Sequence, residues 1–286
     1  MNSGDCKSST EYERTGYRVF ANYFTASEME QLQARALSIV TEFDDTQHRS
    51  IFSTRDQHQF IDQYFLDSAN TVRCFFEEDA FSDRGMLKQS RELSINKIGH
   101  ALHRLDPVFQ AFSHQARLGT IAMEMGIHEP QLRQSMYIFK QPGIGGEVRW
   151  HQDATFFYTD PVTVTTFWIA IEDTNLENGC LWVEPGGHRG PLREWFHTAE
   201  DGKITTDILD PSPWPSTEST IPLEVSRGTL VVFHGLLPHY SAANLSTHSR
   251  HAYTLHVTDG ISDYHCNNWL QTPQEELTTF ISQENP

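Results

Sequence analysis

The sequence predicts a mainly β protein with flanking helices, an antiparallel sandwich or barrel, and three observations lead there. After Pro130 the chain breaks into short β-rich runs at 133–140, 162–171, 180–183, 229–234 and 252–257. Gly, Pro and Asn turns separate them, the pattern of an antiparallel sandwich or barrel. No run is followed by the helical period that a βαβ unit requires. Helical periodicity is confined to the first half, so a helical buttress over about 25–130 is expected beside a β core over about 131–260. Neither an internal repeat nor an interdomain linker is visible, so residues 1–286 are expected to form one domain.

Gly16-Tyr-Arg-Val-Phe20 reads as a short strand, and Ser27 to Phe43 as a helix. Met29, Leu32, Ala36, Ile39, Val40 and Phe43 recur at helical spacing and form one apolar stripe. Thr25 with Glu28 three residues on offers a capping box, in which each side chain satisfies the other's backbone N–H. From Asp44 to Arg91 periodicity is weak and aromatic islands are scattered (Phe60-Ile61, Tyr64-Phe-Leu66, Cys74-Phe-Phe76), which predicts long loops with short helices. Val108 to Met125 reads as a helix with Leu118, Ile121, Ala122 and Met125 inward and Gly126 at its C-terminus. The polar stretch from His197 to Ser219, with Pro211-Ser-Pro-Trp-Pro215, is expected to be a surface excursion or a lid.

The 286 residues, 38% hydrophobic and 21% charged, suit a globular protein with a sizeable core. A formal charge of -17 disfavours nucleic acid and other polyanions as partners. Cys6, Cys74, Cys180 and Cys266 lie far apart with no C-x-x-C pair, so free thiols are expected rather than a zinc knuckle or disulfides. No apolar run reaches the roughly 20 residues of a membrane span, and the first residues lack a secretory pattern, so a cytoplasmic location is expected.

The chemistry-bearing residues gather late. His151 and Asp153 are two apart, which puts both side chains on one side of an extended strand. His239 follows the apolar run Thr229-Leu-Val-Val-Phe233 and can complete a two-histidine, one-carboxylate facial set of the kind that holds Fe(II) with open positions. Among 15 histidines about one His-x-Asp arises by chance, and the same three residues could hold zinc, although no nucleophile-orienting partner is evident. Arg250 offers a planar fork able to hold one carboxylate of a dicarboxylate co-substrate through two parallel hydrogen bonds, a surface salt bridge being the alternative. Ser241 is positioned to donate a second bond to that carboxylate, or to serve a turn. His256 shares strand parity with Arg250, whereas Gln152 alternates away from His151 and Asp153. Phe156-Phe-Tyr158 can wall a substrate pocket or close the core.

Longer motifs add to this. Leu93-Ser-Ile-Asn-Lys-Ile-Gly-His-Ala-Leu-His103, Gln134-Ser-Met-Tyr-Ile-Phe-Lys-Gln-Pro142, Gly146-Glu-Val-Arg-Trp-His-Gln-Asp153, Leu176-Glu-Asn-Gly-Cys-Leu-Trp182 and Asn244-Leu-Ser-Thr-His-Ser-Arg-His-Ala-Tyr253 together resemble the phytanoyl-CoA dioxygenase family from about residue 11 to Glu276. The resemblance implies a double-stranded β-helix (jelly roll, cupin-like) and a hydroxylase that uses Fe(II), 2-oxoglutarate and O2 on a small or lipid-like organic substrate, with succinate and CO2 released. It implies His151, Asp153 and His239 as iron ligands and Arg250 as partner of the distal carboxylate of 2-oxoglutarate. Lys97, Met136, Trp168 and Ser241 follow as further pocket residues. Related halogenases lack the carboxylate that Asp153 supplies, so the likeness is to hydroxylases. Trp150, and Gly187 where relatives carry serine, depart from the pattern. Demethylation, desaturation or epoxidation at the same centre, or a binding protein without turnover, would share these ligands. The Asn175–Gly179 turn is expected to join adjacent strands and to set Trp182 near an inner face.

Overall fold

The computed structural model describes residues 11–52 and 62–280, so Cys6 and Phe60-Ile61 lie outside the described residues. In chain order the strands are β1 Tyr17–Phe20, β2 Ile51–Phe52, β3 Val72–Glu77, β4 Ile95–His100, β5 Pro130–Ile138, β6 Val148–His151, β7 Thr159–Asp160 and β8 Thr165–Ala170. They continue with β9 Leu181–Val183, β10 Glu194–Thr198, β11 Ile204–Ile208, β12 Ile221–Leu223, β13 Leu230–His234, β14 His239–Ser241, β15 Ala252–Asp259 and β16 Asp263–Tyr264. Eight pair in the order β1-β13-β8-β15-β5-β4-β3-β2, and four more form a second sheet, β12-β9-β14-β6. These sheets enclose the cavity described below, in the double-stranded β-helix arrangement.

The large sheet is buried on both sides, and alternation along its strands assigns the faces. Tyr137, Phe139, Phe167, Ile169, Tyr253 and Leu255 turn to the main apolar core with the helices. Met136, Ile138, Trp168 and Thr254, one position away, turn to the cavity. The helix Ala26–Glu42 (α1) contributes Met29, Leu32, Ala36 and Val40 to the core, with Ile39 and Phe43 packed at its edge. Its start is the expected capping box: Thr25 accepts from the Glu28 N–H and Glu28 accepts from the Thr25 N–H.

Several expectations change. The buttress over 25–130 carries β2, β3 and β4 of the large sheet as well as helices. Its helices after α1 are α2 Gln63–Leu66, α3 Leu102–Leu105, α4 Pro107–Ser113 and α5 Ala116–Glu124. The segment read as one helix from Val108 is therefore α4 and α5 with a break at His114–Gln115, and Gly126 follows α5 at φ +86° as a helix-ending glycine. The stretch 197–219 is not wholly irregular, because His197, Thr198 and Ile204–Ile208 belong to the β10–β11 hairpin.

The Asn175–Gly179 turn joins β8 of the large sheet to β9 of the small one rather than two adjacent strands. Asn175 Oδ1 accepts from the Glu177 and Asn178 N–H groups, and Gly179 takes φ +81°. A Cβ at Gly179 would stand 2.5 Å from both the Ala242 carbonyl and Lys140 Cε, so glycine is required there. This turn sets β9 with Leu181 towards the cavity and Trp182 on the alternate, half-buried side, opposite Tyr240.

Candidate metal and co-substrate site

β6 and β14 are hydrogen-bonded neighbours, and their register places His239 directly opposite His151. Asp153 follows at the start of a 3-10 turn that swings its carboxylate back beneath both rings. The carboxylate Oδ1 lies 3.6 Å from His151 Nε2 and 3.6 Å from His239 Nε2. One ligand atom from each of the three falls within 4.8 Å of the others, close enough to share one ion.

Backbone carbonyls fix the tautomers. His151 Nδ1 lies 2.8 Å from Arg149 O and His239 Nδ1 lies 3.0 Å from Leu237 O, so each Nδ1–H donates outward and each Nε2 keeps its lone pair for the centre. Burial, and the neighbouring His151, lower the His239 imidazole to about 4 despite Asp153. Burial works against a charged Asp153, yet the His239 and His256 rings hold its carboxyl well below the usual range. Thr166 donates to Asp153 Oδ2, and His256 Nε2 approaches the same oxygen at 3.5 Å. Two imidazoles with Nε2 turned to the centre and a carboxylate on one face are the donor set of a facial triad for Fe(II), and the second interactions orient them.

Arg250 is 2% exposed and lines the same cavity, with its guanidinium carbon 5.6 Å from the Trp168 ring. Burial pulls it down to about 10, which leaves it charged at neutral pH. Nη2 donates to Ser241 Oγ at 3.1 Å, while Nε and Nη1 have no acceptor among the described residues. Two unspent donors on a buried cation call for an incoming carboxylate. Ser241 has a different part from the one expected. Its own proton goes to Gly179 O at 2.9 Å and its lone pair receives Arg250, so it orients the guanidinium and has no proton left for a co-substrate.

Lys97 and Met136 also line the cavity. Lys97 is 5% exposed, with Nζ 3.8 Å from Met136 Sδ and 3.2 Å from the centre of the Phe52 ring. No carboxylate pairs with it among the described residues, and burial drives its ammonium well below its ordinary value. Phe156 and Phe157 form part of the wall, whereas Tyr158 turns away to Trp195. Gln152 points out of the cavity as expected, holding Pro191 O, Leu236 O and the Arg193 N–H.

The comparisons with known proteins agree with this geometry. Residues 12–252 match the profile of the family described as Phytanoyl-CoA dioxygenase (PhyH). The chain belongs to the phytanoyl-CoA dioxygenase family. Among relatives of this family, it is 45% identical over 262 residues to "Phytanoyl-CoA dioxygenase" of Arabidopsis thaliana, covering 91% of each chain. It is 43% identical to "Phytanoyl-CoA dioxygenase domain-containing protein 1" of Mus musculus, covering 93% of this chain and 94% of the relative. In fold it resembles the epimerase SnoN, solved with Fe3+, alpha ketoglutarate and nogalamycin RO, at TM-score 0.61 and 15% identity over 92% of this chain and 86% of that one. It likewise resembles EctD from S. alaskensis, solved with 2-oxoglutarate and 5-hydroxyectoine, at TM-score 0.60 and 19% identity over 93% and 78%.

Of the two departures from the family pattern, neither enters the cavity. Trp150 stacks on Tyr240 with ring centres 5.3 Å apart, and a Cβ at Gly187 would meet Glu184 Oε2 at 2.5 Å and Pro238 Cδ at 2.8 Å. Sequence reasoning missed Glu77, Gln134, Lys140 and Trp269, which share the cavity wall with His100. Lys140 donates to Gly146 O at 2.7 Å while Glu77 accepts the Gly146 N–H at 3.2 Å, so these two buried charges clamp the segment that leads into β6 and His151. Burial raises the Glu77 carboxyl and lowers the Lys140 ammonium, each against the other's charge. Parity along β5 would have found Gln134 two residues before Met136.

Proposed function

We propose that this chain is an Fe(II)- and 2-oxoglutarate-dependent dioxygenase that hydroxylates a small or lipid-like organic molecule. The observation that carries the reading is one cavity holding both a two-histidine, one-carboxylate triad and a buried arginine with two unspent donors. Bound Fe(II) with 2-oxoglutarate and O2 supplies the oxidising power, releasing succinate and CO2 as the substrate is oxidised. The chain's own part is placement. His151, Asp153 and His239 hold the metal, and Arg250, oriented by Ser241, receives the distal carboxylate of 2-oxoglutarate. Lys97 adds a second nitrogen donor, and Met136 and Trp168 shape the apolar wall beside them.

Retention of Asp153 supports oxygen transfer over halide transfer. We read residues 1–286 as one catalytic domain, since the cavity takes residues from β4 as well as from β15. The buried free thiols Cys74 and Cys180 suit a reducing compartment, and a cytoplasmic location fits them. Among the described residues no helix is long and apolar enough to cross a membrane.

The test is anaerobic reconstitution with Fe(II), calorimetric titration with 2-oxoglutarate, then succinate formation started with O2. Wild type is expected to bind both and to form succinate, while His151→Ala loses iron and Arg250→Ala loses 2-oxoglutarate. Failure of wild type to bind 2-oxoglutarate in the presence of Fe(II) would refute the reading.

A further inference from the structure

The floor of the cavity carries a polar row whose far end neither the metal nor the co-substrate site uses. On the large sheet, Thr166 of β8, His256 of β15 and Gln134 of β5 are cross-strand neighbours in one register row. His100 ends β4 beside them, opposite Ser135, and all four line the cavity. The row starts at Asp153, which Thr166 and His256 contact, and runs away from it. The next row, Trp168, Thr254 and Met136, lies towards Arg250. Gln134 and His100 thus stand across the metal site from the co-substrate arginine.

Both have hydrogen-bonding capacity to spare. No described group bonds the Gln134 amide, although the residue is only 3% exposed. Its amide opens onto the cavity. Ser68 Oγ donates to Phe65 O and lies 2.7 Å from His100 Nδ1, an arrangement that assigns the ring proton to Nδ1. Nε2 is left as a lone pair. Burial first, then Lys97 and His256, hold the ring well below its ordinary value, so it stays neutral. Around these two polar groups the wall is aromatic: Phe65 and Trp269 lie 5.4 Å from the His100 ring, and Phe157 stacks on His256 at 4.8 Å.

We propose that Gln134 and His100 form the substrate-recognition subsite of this dioxygenase, and that they select a neutral head group bearing both a donor and an acceptor, a hydroxyl or a primary carboxamide. His100 Nε2 accepts from the head group and the Gln134 amide completes the pair, with the apolar body against Phe65, Phe156, Phe157 and Trp269. A carboxylate or a thioester has no proton to give Nε2, and a carboxylate faces a lone pair instead. Two strand spacings, roughly 10 Å, separate Gln134 from Thr166 at the metal carboxylate, so the carbon presented for oxidation lies several bonds from the head group.

This proposal rests on the dioxygenase reading, and its test is separable from it because binding is read without turnover. The full chain, loaded anaerobically with Fe(II) and 2-oxoglutarate, is titrated by calorimetry with 6-phenylhexanamide, 6-phenylhexan-1-ol and 6-phenylhexanoate. The amide and the alcohol are expected to bind at least about fivefold more tightly than the carboxylate, the cost of one unmatched buried polar group. Gln134→Met and His100→Phe, similar in volume, are each expected to erase that preference, with thermal unfolding as the folding control. Equal binding of the three, tighter binding of the carboxylate, binding of none, or an unchanged preference in folded variants would overturn the subsite. Failure to load 2-oxoglutarate at all would instead overturn the dioxygenase reading.

Discussion

Arg250→Met separates a co-substrate anchor from a structural arginine, because the two roles predict opposite balances of binding and stability. Arg250 Nη1 has no acceptor, and its N–H runs parallel to the second N–H of Nη2, the fork that would meet the distal carboxylate of 2-oxoglutarate with two hydrogen bonds. Hydrogen bonds to charged groups are worth about 1.5–3 kcal/mol each, so losing two removes about 3–6 kcal/mol, or about 100-fold to 10,000-fold in affinity. Without co-substrate the same guanidinium is a desolvated charge held by one 3.1 Å bond to Ser241 and by the Trp168 ring, among the described residues. Replacing it with a side chain of similar reach should leave apo stability within about 1 kcal/mol of wild type, or raise it. Arg250→Lys keeps the charge but loses the planar fork and should recover only part of the affinity. The assay pairs calorimetric 2-oxoglutarate binding to the Fe(II) protein with urea unfolding of the metal-free protein. A variant that binds 2-oxoglutarate within threefold of wild type, or that unfolds several kcal/mol more easily while still binding it, would refute the assignment.

Further expectations follow from neighbouring geometry. His239→Ala and Asp153→Ala should each abolish stoichiometric Fe(II) binding in equilibrium dialysis while the chain stays folded, since these side chains sit 3.6 Å apart at the centre and are not core packing. Gln152→Ala should lower unfolding free energy by about 1–3 kcal/mol, because it strips three part-buried hydrogen bonds that tie the backbone at Pro191, Arg193 and Leu236 together. The buried His103 and His234, lowered by desolvation to about 3 and about 4, remain neutral in the fold but protonate near 6.5 when unfolded. The unfolded state therefore binds more protons between those values, so their contribution is complete above pH 6.5 and is lost as pH falls towards 4. Unfolding free energies from urea titrations should drop from pH 7 to pH 5, by at most about 2 kcal/mol for each ring.

What the sequence made legible was local. The bounds of α1 and its capping box followed from apolar spacing and a Thr/Glu pair three residues apart, neither of which depends on distant contacts. The two-residue spacing of His151 and Asp153 was likewise readable, although their convergence with His239 needed the β6–β14 register. β3 and β4 were hidden because both faces are occupied: Val72-Arg-Cys-Phe-Phe-Glu77 and Ile95-Asn-Lys-Ile-Gly-His100 mix core residues with cavity residues, so no alternation survives. Ser241 was rightly placed near Arg250, but the direction of its proton depended on Gly179 O, more than sixty residues away in the chain. Trp182 drew attention by its size, whereas the turn at Gly179 sets the phase of β9 and gives the inner position to Leu181.

The most direct test of the dioxygenase account is the fate of molecular oxygen. Wild-type protein reconstituted with Fe(II) and incubated with 2-oxoglutarate under oxygen-18 gas should yield succinate carrying one labelled oxygen atom by mass spectrometry, and Asp153→Ala should yield none. Protein that binds Fe(II) and 2-oxoglutarate yet forms unlabelled succinate, or labelled succinate at the same rate without Asp153, would contradict the account.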